Sequence, residues 1–169
     1  MNPDFEALHL VPLSESHLEA TLRWMNDPEL MKLLDREHII SRAEHADWFE
    51  KLISDSTRAY FAIEVENLHV GNVWLVDIDA RNKKAELRVA LGVAHDRGYG
   101  SMAIEFLTRH AFSALKLHRL YAYVLAFNIR AVRSFEKAGF KKEGLLLGDR
   151  KRGESYVDSW LLARVNASA

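Results

Sequence analysis

"GVAHDRGYGSMAIEFLTRHAF" (residues 92–112) sets two glycines, Gly98 and Gly100, one residue apart, between an apolar strand-like run and a run with helical spacing. A strand that turns through glycines into a helix makes an anion site. The first N–H groups of the helix lack intrahelical acceptors and converge, and the helix dipole adds positive potential. Glycine at both positions lets the backbone approach a diphosphate closely. A Walker-type nucleotide loop needs Lys followed by Ser or Thr after its last glycine, and Ser101 and Met102 stand there instead. Residues 98–103 also fit the dinucleotide pattern G-x-G-x-x-A, which wants an acidic residue about 20 positions later for the ribose. No Asp or Glu occurs between Phe106 and Phe135, which counts against a dinucleotide-dependent oxidoreductase. Taken alone, the glycine pair also fits a plain strand-to-helix turn.

Before the loop, RAYFAIEVE (58–66), HVGNVWLVDIDA (69–80) and KAELRVALGV (84–93) are rich in β-branched and aromatic residues. They are separated by the turn-forming NLH and RNKK, which predicts an antiparallel meander. After the loop, Met102, Ile104, Phe106, Leu107, Ala111, Phe112 and Leu115 repeat at helical spacing. RLYAYVLAF (119–127) is apolar on both faces and reads as a buried strand, parallel to the one ending at Gly92 or Val93. Asn128 caps a helix over 129–138, and FKKEGLLLG (140–148) and ESYVDSWLLARV (154–165) close the chain as a hairpin around a charged turn. Upstream, FEALHLV (5–11) reads as a first strand, and Ser14 caps a helix in which Leu18, Leu22 and Met25 share a face. Asp27 and Pro28 restart a short helix, and Ser41 with Glu44 forms a capping box for one burying Trp48, Phe49, Leu52 and Ile53. These elements give an α+β class: helices first, a mostly antiparallel sheet, and one parallel strand pair.

At 169 residues and 49% apolar composition, with no linker or repeat, the chain reads as one domain over residues 1–169. No apolar run approaches the length of about 18 residues that a membrane span requires. The N-terminal residues carry early acids and lack the pattern of a secretory signal, so a cytoplasmic location is the expectation. The absence of cysteine excludes disulfides, thiolate metal sites and a cysteine nucleophile. Eight histidines without an H-E-x-x-H pattern give no metal site, and no G-x-S-x-G elbow supports a serine hydrolase. A net charge of -1 gives no support to a nucleic-acid partner. Residues 1–56 carry 12 acidic against 5 basic side chains and the remainder 12 against 18, so one part suits a cation and the other a phosphorylated ligand.

The runs AELRVALGVAHDRGYGSMAIEFL and LHRLYAYVLAFNIRAVRSFEKAGFKKEG together resemble the GNAT family of N-acetyltransferases along nearly the whole downstream half. The matching elements are the strand before the loop, the x-x-G-x-G/A loop, its helix, the next strand, and a helix opening on Asn and closing on Gly-Phe. The resemblance implies the GNAT fold and acetyl-CoA as co-substrate, without a metal. It implies a diphosphate held by the backbone from Arg97 through Gly98, Tyr99, Gly100 and Ser101 to Met102, and a pantetheine arm between two splaying parallel strands. Gly92 would ease close approach there, Asn128 would touch the cofactor arm or serve as a plain helix cap, and Arg133 completes the cofactor set. His95 stands where the family usually has Gln or Arg, with Arg97 nearby as a charge.

Moving an acetyl group to an amine requires removal of a proton, because alkylamines titrate near pH 10. Glu86 is the candidate base, on the strand face with Arg88, Ala90 and Gly92; a solvated or Arg-paired carboxylate is the competing role. Backbone N–H groups at Leu91, Gly92 and Val93 would polarise the carbonyl. The family's tyrosine acid is replaced by Phe135, which leaves Ser134, Tyr99 or water to protonate the departing thiolate. The segments WMNDPELMKLL, HADWF and EGLLLGDRKRGESYVDSWLL resemble the branch containing ribosomal-protein N-terminal, polyamine and nucleotide-linked amino-sugar acetyltransferases. An amino sugar or other small amine is the favoured acceptor, with a protein N-terminus, a polyamine, or a non-catalytic acetyl-CoA-binding module as alternatives. Homodimerisation is implied by the branch alone.

Overall fold

The computed structural model describes residues 8–93 and 97–167. His95 and the first residues of the FEALHLV run lie outside them. Seven strands form one sheet in the order β1-β2-β3-β4-β5-β7-β6. They are β1 (Leu8–Pro12), β2 (Ala59–Val65), β3 (Leu68–Asp79), β4 (Lys84–Leu91), β5 (Arg119–Leu125), β6 (Lys141–Arg152) and β7 (Ser155–Val165). Left-handed residues at Glu66, Asn67 and Lys83 make the meander turns that sequence placed at NLH and RNKK. Every neighbouring pair is antiparallel except β4 with β5. A parallel pair needs a long crossover, supplied here by α4 (Tyr99–Ser113).

That helix buries Met102, Ala103, Ile104, Leu107 and Ala111 in one core with Ala85 and Leu87 of β4 and Leu120 and Ala122 of β5. Each fully buried Leu or Ile there contributes about 1.5–3 kcal/mol. Side chains alternate along a strand, so Glu86, Arg88, Tyr121 and Tyr123 project from the opposite face. This second face is covered by α1 (Leu18–Met25), α2 (Pro28–Leu33) and α3 (Arg42–Ser54), with Met25 packed among Trp74, Val76 and Ala90. α5 (Ile129–Lys137) returns to the first face through Val132 and Phe135.

The helix starts follow the sequence. Asp27 accepts from the Leu30 N–H with Pro28 behind it, and Ser41 and Glu44 exchange hydrogen bonds as a capping box. Three details differ from the sequence reading. Ser14 opens a single-turn 3-10 helix at Glu15–His17, so α1 starts later and buries Thr21 and Trp24, with Leu18 and Leu22 only half-buried. In α3 the buried side chains are His45 and Phe49, while Ile53 is 73% exposed, because the helix caps a cleft along one edge only. The charged residues 149–152 continue β6 and brace the helical arm. Arg152 donates to the Lys32 carbonyl at 2.8 Å, and Arg150 lies 3.7 Å from Asp35.

A buried polar chain ties α1 to β3: His69 pairs with Asn72 at 2.9 Å, and Asn72 donates to the Thr21 hydroxyl at 3.0 Å. Burial pushes both His69 and His45 below their ordinary value of 6.5. Each therefore binds fewer protons folded than unfolded, and the stabilisation present above pH 6.5 is lost as pH falls below it. The melting temperature is expected to drop between pH 7 and pH 5, and replacing both histidines with Gln should flatten that dependence in a thermal melt series.

Candidate active site

The β4–β5 ladder pairs Lys84 with Arg119, Ala85 with Leu120 and Glu86 with Tyr121, and then stops. β4 nevertheless runs on to Leu91 and β5 to Leu125, each held only by its outer neighbour, so the two diverge. The Gly92 N–H donates to the Val70 carbonyl at 2.9 Å. By the alternation of an antiparallel ladder, Leu87, Val89 and Leu91 then turn their N–H and C=O groups into the gap. Such an internal edge needs a hydrogen-bonding partner from outside the sheet.

α4 begins beside the end of β4. Gly98 caps it in a left-handed conformation, φ 82°, where a side chain would be strained. The Ser101 hydroxyl and the Met102 N–H both donate to the Gly98 carbonyl, at 2.9 and 3.1 Å. Tyr99, Gly100 and Ser101 are left as first-turn amides without an intrahelical acceptor, and the turn carries no acidic residue. Arg97 and Arg133 are exposed, Arg97 at this turn and Arg133 on neighbouring α5.

Two parts of the expected backbone set are otherwise engaged. The Met102 amide belongs to the helix, and the Gly92 and Val93 amides both donate to Val70, which leaves Leu91 as the gap-facing member of that trio. Gly92 also serves a packing need: a Cβ there would stand 1.9 Å from the Trp24 ring.

A cleft of about 700 Å³ runs through the gap, joining Asn128, Ala131 and Phe135 of α5 to the second face of the sheet. Glu86 lies in it, 5% exposed, and its two oxygens accept from Arg88 Nε and Nη2 at 2.7 and 3.1 Å. The competing Arg-paired role and the cleft position therefore occur together. Each carboxylate oxygen keeps a lone pair beyond the guanidinium fork, and the pairing holds Arg88 above its ordinary value. Asn128 accepts from the Ala131 N–H at 3.1 Å as the cap of α5 while also lining the cleft. Ser134 does not line it: its hydroxyl donates to the Arg130 carbonyl at 3.0 Å, and a Cβ added at Gly100 would stand 3.6 Å from it.

Asn128→Ala is expected to cost about 1 kcal/mol of stability through the lost cap, whereas Asn128→Ser keeps the cap. A rise in KM for the cofactor in Asn128→Ser, with an unchanged denaturation midpoint, would separate the two roles.

Sequence reasoning missed the aromatic wall. Tyr60 and Trp74 are register partners across β2 and β3, stacked 4.7 Å apart at 14°, and Trp74 in turn lies opposite Arg88. Trp48 of α3 meets Tyr60 edge-on at 5.2 Å. Strand alternation outward from Glu86 would have found Trp74 and Tyr60 once the register was known. Tyr123, on the Glu86 face of β5, adds a second phenol to the cleft.

The family model described as "Acetyltransferase (GNAT) domain" matches residues 7–141. The chain is 26% identical to the spermidine N(1)-acetyltransferase of Escherichia coli over 146 residues, covering 86% of this chain and 78% of that protein. It is 24% identical to the acetyltransferase PseH of Campylobacter jejuni, covering 76% and 79%. Among solved structures, the spermidine N-acetyltransferase of Vibrio cholerae in complex with CoA and spermine superposes with a TM-score of 0.87 at 24% identity, over 95% of this chain and 96% of that one. The chain belongs to the GNAT family of acetyltransferases and is an acyltransferase.

Proposed function

We propose that the chain, as one N-acetyltransferase domain over residues 1–169, transfers an acetyl group from acetyl-CoA to the primary amine of a small molecule. The observation that carries the reading is the open β4–β5 gap, which has the first-turn amides of Tyr99, Gly100 and Ser101, free of intrahelical acceptors, at one end and the Glu86 carboxylate at the other. These features suit the cofactor: a helix whose first turn carries no acidic residue for a diphosphate, and gap-facing amides at Val89 and Leu91 for an arm that carries amides itself. Acetyl-CoA supplies an activated acyl carbon.

The chain's own residues handle the protons. Glu86 accepts one from the ammonium form of the acceptor, directly or through a water on its free lone pairs, and Arg88 fixes its orientation. Phe135 has no proton to give, and the Ser134 proton is engaged by Arg130. Tyr123, in the cleft on the Glu86 face, is the better-placed acid.

For the acceptor, the stacked Tyr60 and Trp74 offer a flat apolar wall, and Arg36, Arg58, Arg88 and Arg150 line the cleft. That combination favours an amino sugar, including a nucleotide-linked one, over a polycation. The polyamine reading is kept by the spermidine-acetylating relatives and by Asp77 on the same cleft wall. Self-association is part of the proposal. The neighbouring Vibrio cholerae enzyme is described as dodecameric, and the edge strand β6 here exposes Leu147 at 77%. A cytoplasmic location completes it.

The test is CoA release over a panel of amino sugars, polyamines and peptides. Turnover highest with an amino sugar supports the reading. Turnover highest with spermidine replaces the acceptor, and no turnover with any amine removes the acetyl-transfer reading.

A further inference from the structure

Arg36 lines the cleft. α2 closes on a left-handed Asp35, φ 55°, with the Arg36 N–H donating back to the Met31 carbonyl at 2.9 Å. This ending brings Arg36 to the cleft wall near His45 and Tyr60, both of which feel its charge. Its Nε is buried with no hydrogen-bond partner, and among the described residues no carboxylate pairs with it.

The other cleft arginines are matched: Arg88 by Glu86, Arg58 by Asp55, and Arg150 by Asp35 and Asp149. Two of the cleft acids are engaged as well. Asp35 faces Arg150, and Glu44 accepts from the Ser41 N–H and from His38. An unmatched buried guanidinium donor is unfavourable until an acceptor reaches it.

We propose that Arg36 determines acceptor specificity by binding an anionic group, a phosphate or a carboxylate, carried by the amine substrate, whose amine is then directed along the Tyr60–Trp74 wall toward Glu86. The inference rests on the cleft being the acceptor site. It narrows the substrate class to amines that carry an anion, a group a free polyamine lacks.

The test uses the full chain and two matched probe pairs, glucosamine 1-phosphate against glucosamine and aminobutyrate against butylamine. Binding is read from tryptophan fluorescence, since Trp48 and Trp74 line the cleft. At least one anionic member is expected to bind roughly 10- to 100-fold tighter than its neutral counterpart, the range of a charge-assisted hydrogen bond. Which pair shows the preference distinguishes phosphate from carboxylate. In Arg36→Gln the preference should vanish while affinity for the neutral member stays unchanged. No preference in the native chain, or a preference that survives in Arg36→Gln, overturns the proposal.

Arg36→Met is expected to melt no lower than the native chain without ligand, because it removes an unmatched charge. A marked fall would show that the protein itself already satisfies the guanidinium, and would equally overturn it. Turnover measured in parallel separates the two readings: an Arg36-dependent preference in binding without acetyl transfer supports this inference while removing the one it rests on.

Discussion

Glu86→Gln is expected to lower kcat/KM by roughly 10²- to 10⁴-fold, the contribution of a positioned general base. The loss should fall on kcat, with cofactor affinity unchanged, because Glu86 lies at the far end of the gap from the first turn of α4. Arg88→Met separates chemistry from structure. If Glu86 exists only to hold Arg88, the two variants lose activity equally. If Glu86 takes the proton, Arg88→Met keeps more of the rate than Glu86→Gln does, since the carboxylate remains although it loses the guanidinium that orients it at 2.7 and 3.1 Å. Equal losses in the two variants would remove Glu86 from the chemistry. Glu86→Gln should fold, because the Arg88 side chain is 51% exposed and water can solvate it when its partner is neutral. Arg88→Met leaves the buried Glu86 carboxylate without its guanidinium, so its rate is read together with its melting temperature, which is expected to fall.

The second large effect concerns stability. Gly92→Ala would place a methyl 1.9 Å from Trp24 Cδ2 and 2.0 Å from Cε2. The indole is 6% exposed and lies against the His69 ring at 4.6 Å, so it has little room to swing aside. Overpacking of this kind costs about 1–3 kcal/mol, and the upper part of that range is expected here. A compensating Trp24→Leu should recover part of it, and a double-mutant cycle measured by urea denaturation should give a coupling well above the additive limit of about 0.5 kcal/mol. Additivity would mean the two residues do not meet. Because Trp24 belongs to α1, Gly92→Ala should also raise KM for the amine by displacing the helical arm over the cleft.

The sequence was most readable where its signals are local. The meander, α4 and the cap of α5 depend on period-2 and period-3.6 patterns, turn residues and an Asn, and these fall within a few residues of their effects. The Asp27-Pro28 and Ser41-Glu44 starts were legible for the same reason. The parallel β4–β5 pair could be anticipated from an apolar strand following a glycine turn and a helix.

What escaped depends on distant partners. Gly92 looked like a point of approach for a ligand, while its packing partner Trp24 lies far upstream, with no pattern linking the two. The amides of Gly92 and Val93 are taken by the Val70 carbonyl of β3, a partner more than 20 residues upstream that no local pattern announces. The contacts of the charged turn are equally remote, because the partners of Arg150 and Arg152, Asp35 and the Lys32 carbonyl, belong to α2 and its end. The aromatic wall required the β2–β3–β4 register, which single-strand periodicity does not fix.

The central claim is that the first-turn amides of α4 and the gap-facing amides of β4 hold coenzyme A. Isothermal titration of the full chain with acetyl-CoA tests it most directly. Saturable binding of one molecule per chain, competed by CoA and weakened by added salt as a diphosphate contact requires, is the predicted result. Absence of any saturable heat with either acetyl-CoA or CoA would contradict it.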